Sequence, residues 1–257
     1  MTDQERMELA MEAARASGKM LLEYADLHVD KKAKNDYVTD ADKASEELIR
    51  SILLKACPED AFLGEESGTS GDESQGMWVV DPIDGTTNFI RKLPPYTISI
   101  AYVKDGQPRA GAVYAPLTDE MFSAYEGGGA FLNGRPSHVS DAKEPGECIL
   151  GMSFAHRHPA SAKRMFELIP RMAAQVNDMR RLGSAAYDLC SVACGRYDAF
   201  IELNLYIYDI AAGVLIAREA GAVTGGWPGS EDCLISGDTM AVTPGLAGWL
   251  KGELARA

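Results

Sequence analysis

The chain has 257 residues, 38 acidic against 25 basic, for a formal net charge of −13, and 46 % of it is hydrophobic. That length and apolar content suit one compact domain or two closely packed lobes. The acidic balance disfavours nucleic acids and anionic membranes as partners. It spares a phosphorylated substrate, provided that a bound cation reverses the sign locally.

Apolar stretches such as Ile98–Val103 and Val214–Ala217 fall far short of the roughly 20 residues of a spanning helix. The N-terminus opens with charges and has no apolar h-region, so no signal peptide is expected. Cys57, Cys148, Cys190, Cys194 and Cys233 are odd in number and lack Cys/His partners at zinc spacing. They read as reduced structural thiols of a cytoplasmic protein. His156 and His158 form an HxH pair, read as a surface feature because no further ligand flanks it.

In chain order, Asp3 to Asp26 places Met7, Leu9, Ala10, Ala13, Ala14, Met20, Leu21 and Leu22 near helical period, which predicts an amphipathic helix. Lys31–Asp40 is polar and reads as a loop. Asp40–Ala56 gives a second helix with Leu48, Ile49, Ile52 and Leu53 on its apolar side, ended by Pro58. The apolar Phe62-Leu63 leads into Gly64, Glu65 and Glu66, and the GTSGDESQG that follows reads as a mobile loop. Met77–Val80 is a buried strand. Thr97–Val103, Ala110–Ala115 and Met121–Tyr125 follow as antiparallel strands separated by the turns KDGQ and APLTDE. GGGAFLNGRP supplies another hairpin.

From Ser140 the pattern changes to alternating strand and helix. Strand Ile149–Phe154 precedes helix Ala160–Met172, strand Met179–Arg181 and helix Ala185–Cys194. Strand Ala199–Glu202, helix Asp209–Ala220, short strands and a terminal helix at Gly245–Ala257 complete the chain. The reading is an α+β lobe over residues 1–140 with an antiparallel sheet, and an α/β lobe over 141–257, forming one unit.

Residues Trp78–Phe89 read WVVDPIDGTTNF. A strand runs into Asp81, Pro82 holds that aspartate extended, and Asp84 follows three residues later. Gly85-Thr86-Thr87-Asn88 then resembles a turn opening a helix. Two carboxylates suited to a hard cation therefore sit beside amide N–H groups suited to an oxyanion, the makings of a metal-assisted phosphate site. Glu65 and Glu66, at the end of an apolar run, and Asp209, at a helix start, are candidates to complete it. Each has a plainer reading: solvated loop charge for the glutamates, a helix cap for Asp209, and an Asx-turn with an N-cap for Asp81 and Asp84.

Four stretches make the chain resemble the inositol monophosphatase family: VTDAD at Val38–Asp42, GEES at Gly64–Ser67, DPIDGTTNF at Asp81–Phe89, and YDIAAGVLIAREAGA at Tyr208–Ala222. GSAAYDLCSVACGRYDAF between the last two matches as well. The resemblance spans nearly the whole chain. It implies a layered α-β-α-β-α sandwich of the inositol monophosphatase and fructose-1,6-bisphosphatase type.

It also implies Mg²⁺-dependent, lithium-sensitive hydrolysis of a phosphate monoester by a cytoplasmic homodimer, with two or three Mg²⁺ ions and no covalent intermediate. Glu65, Asp81, the carbonyl of Ile83, Asp84 and Asp209 are the implied metal ligands. Thr86 resembles the threonine that prepares the attacking water together with Glu65. The N–H groups of Gly85 and Thr86 would hold phosphate oxygens, and Ala185 and Glu202 match positions that contact substrate hydroxyls. Asp42 resembles a carboxylate near the active-site loop. Lys31, Lys32 and Lys34 lie where the family often carries a loop lysine, and the choice among them stays open.

Tyr208 departs from the tryptophan usual before the last aspartate, which bears on the substrate wall, and the neighbouring Leu203–Ile207 is unusually apolar. Inositol 1-phosphate is the favoured substrate. The alternatives are fructose bisphosphate, an adenosine bisphosphate, histidinol phosphate, a nicotinamide dinucleotide phosphate, or a catalytically silent, metal-dependent regulatory protein. A haloacid-dehalogenase phosphatase is disfavoured, since DPIDGT at residue 81 lacks that class's spacing and position.

Overall fold

The computed structural model describes residues 1–24, 28–33, 36–155, 158–230 and 232–256, and of 31–33, 36 and 37 the backbone alone. Helix α1 (Asp3–Leu22) opens on a reciprocal cap between Thr2 and Glu5. Met7, Ala10, Ala14, Ser17 and Leu21, at spacings of three and four residues, form its buried stripe. The helix stops at Leu22, short of the expectation, and Asp26 lies outside the described residues.

The expected loop at Lys31–Asp40 is instead a hairpin. Strand β1 (Val29–Ala33) pairs antiparallel with β2 (Asp36–Thr39). Val29 and Asp30 are exposed, so the segment lacks the apolar alternation that marks a half-buried strand. Lys31 and Lys32 belong to the backbone of β1, and Lys34 lies outside the described residues.

Helix α2 (Asp40–Ala56) leads to β3 (Ala61–Gly64), β4 (Gly68–Ser70), β5 (Met77–Asp84), the short helix α3 (Thr86–Arg91), β6 (Thr97–Lys104), β7 (Gln107–Ala115), β8 (Glu120–Tyr125), β9 (Gly129–Leu132) and β10 (Arg135–Ser137). These eight strands form one sheet in the order β10-β9-β8-β7-β6-β5-β3-β4, with β3 and β5 its parallel pair. The segment expected to be a mobile loop after Glu66 thus contains β4, an edge strand, followed by a 3₁₀ turn at Glu73–Gln75. An edge strand keeps one side in solvent and tolerates a polar sequence, which hid it.

The rest of the chain supplies β11 (Ile149–Met152), α4 (Pro159–Ala173), β12 (Asp178–Arg180), α5 (Ala185–Ala193), β13 (Ala199–Glu202), α6 (Ile207–Glu219), β14 (Val223–Gly225), α7 (Cys233–Ser236), β15 (Thr239–Val242) and α8 (Ala247–Leu254). A second sheet runs β12-β11-β13-β15-β14, parallel across its first three strands and antiparallel beyond. The terminal helix is shorter than expected, because Pro244–Leu246 forms a 3₁₀ turn before it.

Period-two alternation sorts these strands into layers. Trp78, Val80, Ile98 and Ile100 face α1 and α2, packing with Ala10, Ile49 and Leu53. Val79, Ala101 and Val113 face the opposite way, onto Leu189 of α5 and Val214 of α6. Phe200 and Ala241 of the second sheet close that same core from its far side. Ala199, Ile201 and Val242 point outward onto Met165 and Leu168 of α4 and Leu250 of α8. The result is the five-layer α-β-α-β-α sandwich, whose middle core draws on chain from both sides of residue 140. Fully buried side chains such as Trp78, Phe62 and Phe200 contribute about 1.5–3 kcal/mol each to its stability.

Candidate active site

Strand β5 carries apolar residues to both faces of the sheet and ends in DPID, where the ladder with β6 changes register between Asp81 and Asp84. Pro82 has no N–H to give that ladder. The chain turns there, and Ile83 N–H donates to Asp81 Oδ1 at 3.0 Å. The Asx-turn is therefore present, and it is the device that holds the Asp81 carboxylate at the end of the strand.

Asp84 does not cap the helix that follows it. Gly85 is that N-cap and makes no side-chain cap bond. Its φ of +97° and the carbonyl oxygens of Gly183 and Pro95, 3.1 and 3.3 Å from where a Cβ would sit, restrict the position to glycine. Asp84 caps a distant helix instead. Its Oδ2 accepts from Ser184 Oγ and from Ala186 N–H, both at 2.7 Å, at the start of α5. The Ser184 hydrogen is committed to Asp84, so the Thr97 hydroxyl, 3.1 Å away, donates to Ser184. Ala185, between those two partners, is buried beside the Asp84 carboxylate.

Helix α6 begins two residues earlier than expected, placing Asp209 in its first turn rather than at its cap. Its Oδ2 accepts from Tyr206 N–H at 2.6 Å. One carboxylate oxygen from each of Asp81, Asp84 and Asp209 lies within 4.8 Å of the others. Thr86 donates to Ile83 O at 3.2 Å and stands 3.4 Å from Asp42 Oδ1. Asp42 is buried and held by Thr39 N–H at 2.7 Å, the capping box of α2.

Glu65 follows β3 and lies outside the three-carboxylate group, yet its charge acts on both Asp81 and Asp209. Glu202 ends β13 and acts on Asp209. Tyr208 stacks on the exposed Tyr206 with ring centroids 5.2 Å apart, and its carbonyl accepts from Ser99 Oγ at 3.2 Å. Burial, then the charges of Asp209, Glu65 and Asp81, push the Tyr208 hydroxyl upward.

Burial holds the Asp81 carboxyl well above the ordinary carboxylate range, and Glu65, Asp84, Asp209 and Asp42 add to the rise. Asp209 is raised by burial and then by Asp84, against the opposing bond from Tyr206 N–H, with smaller contributions from Glu65 and Glu202. Hard oxygen donors converging at a partly buried point, with like charges repelling one another, fit a hard divalent cation. The residues that would hold it are Asp81, Asp84 and Asp209.

Comparison with known proteins decides the class. The model of the inositol monophosphatase family matches residues 2–256. The chain belongs to the inositol monophosphatase family. It is 39 % identical to an inositol-1-monophosphatase of Mesorhizobium japonicum over 91 % of this chain and 89 % of that one. It is also 39 % identical to the Nus factor SuhB of Xylella fastidiosa, over 87 % of this chain and 82 % of that one. The crystal structure of the extragenic suppressor protein suhB from Bartonella henselae superposes with a TM-score of 0.93 at 36 % identity, covering 98 % of this chain and 99 % of that one.

Within this family fold, the sequence reading missed Ser184 and Thr97 as supports of Asp84, and Asn88. Asn88 Nδ2 donates to Pro95 O at 2.7 Å and Leu182 O at 2.8 Å, tying α3 to the loop before α5. Ser184 carried one local signal, an N-cap serine at a helix start. The five cysteines are free, and burial pushes the Cys148 thiol up to about 12. His158 is exposed just before α4, and His156 lies outside the described residues. Among the described residues no helix is long and apolar enough to cross a membrane.

Proposed function

We propose that the chain is a Mg²⁺-dependent phosphatase that hydrolyses a small phosphate monoester, inositol 1-phosphate first among them. The observation that carries this reading is the convergence of Asp81, Asp84 and Asp209 beside the Gly85-Thr86 turn. When bound there, Mg²⁺ would neutralise phosphate charge, lower the pKa of a water and stabilise the leaving alkoxide.

The chain's own residues do the rest. Asp81, Asp84, Asp209, Glu65 and the Ile83 carbonyl hold the cations, two or three in number. That carbonyl already accepts from Thr86 and keeps a second lone pair. Glu65 and Thr86 orient the attacking water and the Glu65 carboxylate takes its proton, with Asp42 behind the threonine hydroxyl. The N–H groups of Gly85 and Thr86 bind phosphate oxygens. Ala185 and Glu202 meet substrate hydroxyls, and the Tyr206–Tyr208 stack forms a wall of the pocket. Free, largely buried thiols support a reducing, cytoplasmic location, and a homodimer is the assembly that the resemblance implies.

The test is kcat/KM over a panel of polyol, sugar and nucleoside phosphates with Mg²⁺, combined with single turnover in ¹⁸O-water. The proposal expects preference for inositol 1-phosphate and one solvent oxygen in the released phosphate. A trapped aspartyl-phosphate would overturn the direct-attack route.

Relatives bearing the name Nus factor SuhB favour a second reading, a catalytically silent part in a transcription complex. Retention of Glu65, Asp81, Asp84, Thr86 and Asp209 supports turnover. The two readings part on whether purified protein releases phosphate without any protein partner.

A further inference from the structure

Glu46 lies on α2, one turn beyond Asp42, and is 4 % exposed. Its Oε2 accepts from Glu66 N–H at 2.8 Å and its Oε1 from Ser67 N–H at 2.9 Å. These are the second and third residues of the turn joining β3 to β4, in which Gly64 pairs with Gly68. The first residue of that turn is Glu65, whose N–H donates to Val80 O at 3.1 Å, immediately before Asp81. Three successive amides are thus held, one by β5 and two by a single buried carboxylate.

The anchor itself is fixed. The neighbouring Ser45 donates to Pro82 O at 3.1 Å, so this point of α2 is tied to the DPID segment. A Cβ on Gly64 would collide with the Glu46 carboxyl, so the glycine permits the close approach. GEES therefore has a physical grammar. Gly64 makes room for Glu46, while Glu66 and Ser67 offer it their amides, and Glu65 is left in a turn whose backbone cannot swing.

We infer that Glu46 is a positioning residue that presets Glu65 against the three-carboxylate cluster and thereby tunes divalent-cation affinity. The inference rests on the reading of Glu65 as a metal ligand. Two amide donors require two acceptors. A carboxamide of the same size supplies one acceptor and turns an NH₂ toward the other N–H. Glu46→Gln therefore breaks one of the two bonds while preserving volume.

The experiment titrates chelator-stripped protein with MgCl₂, by calorimetry and by phosphate release from inositol 1-phosphate. Glu46→Gln is expected to raise both the Mg²⁺ dissociation constant and the half-saturating Mg²⁺ concentration at least fivefold. KM for the substrate at saturating Mg²⁺ should stay within twofold of wild type. Gly64→Ala, which displaces the carboxylate from the opposite side, should move Mg²⁺ dependence in the same direction; should it not fold, Glu46→Gln alone decides. A Glu46→Gln half-saturation within twofold of wild type, alongside a large rise in Glu65→Gln, overturns the inference, even if the metal-free melting temperature falls. If Glu65→Gln itself leaves Mg²⁺ dependence unchanged, the metal role of Glu65 fails and the positioning role of Glu46 fails with it.

Discussion

Ser184 donates its hydroxyl to Asp84 Oδ2 at 2.7 Å, joining two segments 100 residues apart in the chain. The same serine caps α5 by accepting from Tyr187 N–H, so one side chain orients a site carboxylate and starts a helix. Ser184→Ala leaves Asp84 with Ala186 N–H on that oxygen and leaves the Thr97 hydroxyl without its acceptor. Losing a cap and a charged hydrogen bond costs about 1–3 kcal/mol of stability. Denaturant melts should show that loss, and kcat/KM should fall about tenfold.

Asp84→Asn keeps the shape and removes a charge from the metal cluster. We expect phosphatase turnover to drop by more than about 10²-fold, as for loss of a group stabilising transition-state charge. The metal-free melting temperature should hold or rise, because one source of repulsion on Asp81 and Asp209 is gone. Paired kinetic and calorimetric measurements on one preparation check both halves.

The stability of the metal-free protein should depend on pH through the same carboxylates. Burial and like charge raise Asp81 and Asp209, so the native state binds more protons than the unfolded chain above the ordinary carboxylate value near 4. Their contribution is fully present below that value and is lost as pH rises through the raised one. A bound divalent cation removes this penalty. The gain in melting temperature on adding Mg²⁺ should therefore widen from pH 5 to pH 8. At about 100 times the dissociation constant it should reach about 2.7 kcal/mol, or roughly 5–10 °C for a chain of this size. Thermal melts in chelator and in Mg²⁺ at both pH values provide the check.

Gly85→Ala should strain the turn at positive φ and press a methyl group toward the Gly183 and Pro95 carbonyls. The expected loss is about 1–3 kcal/mol of stability. A larger share of activity should go with it, since the amides of residues 85 and 86 shift together. KM for phosphomonoesters should rise at saturating Mg²⁺, while the Mg²⁺ half-saturation moves little.

The acidic site was legible in sequence where its chemistry is local. Asp81, Asp84 and the Gly85-Thr86 turn occupy one strand-to-helix passage, and Asp209 opens a recognisable helix. Ser184 and Asn88 escaped because their partners, Asp84 and the Leu182 carbonyl, are about a hundred residues away and only the fold brings them close. The apolar strands β5 to β8 declared themselves by composition. The β1–β2 pair and the edge strand β4 did not, because main-chain pairing holds them and their sequences carry no sustained apolar run. Asp84 illustrates the limit well: its local sequence suggests a cap for α3, and the fold gives its oxygen to α5 instead.

The most direct test of the account is the initial rate of phosphate release from inositol 1-phosphate by chelator-stripped protein, followed against added Mg²⁺. No measurable release is expected in chelator, with a saturable rise on adding Mg²⁺ that Asp84→Asn lowers by more than about 10²-fold. A rate that is the same in chelator as in Mg²⁺ would contradict it.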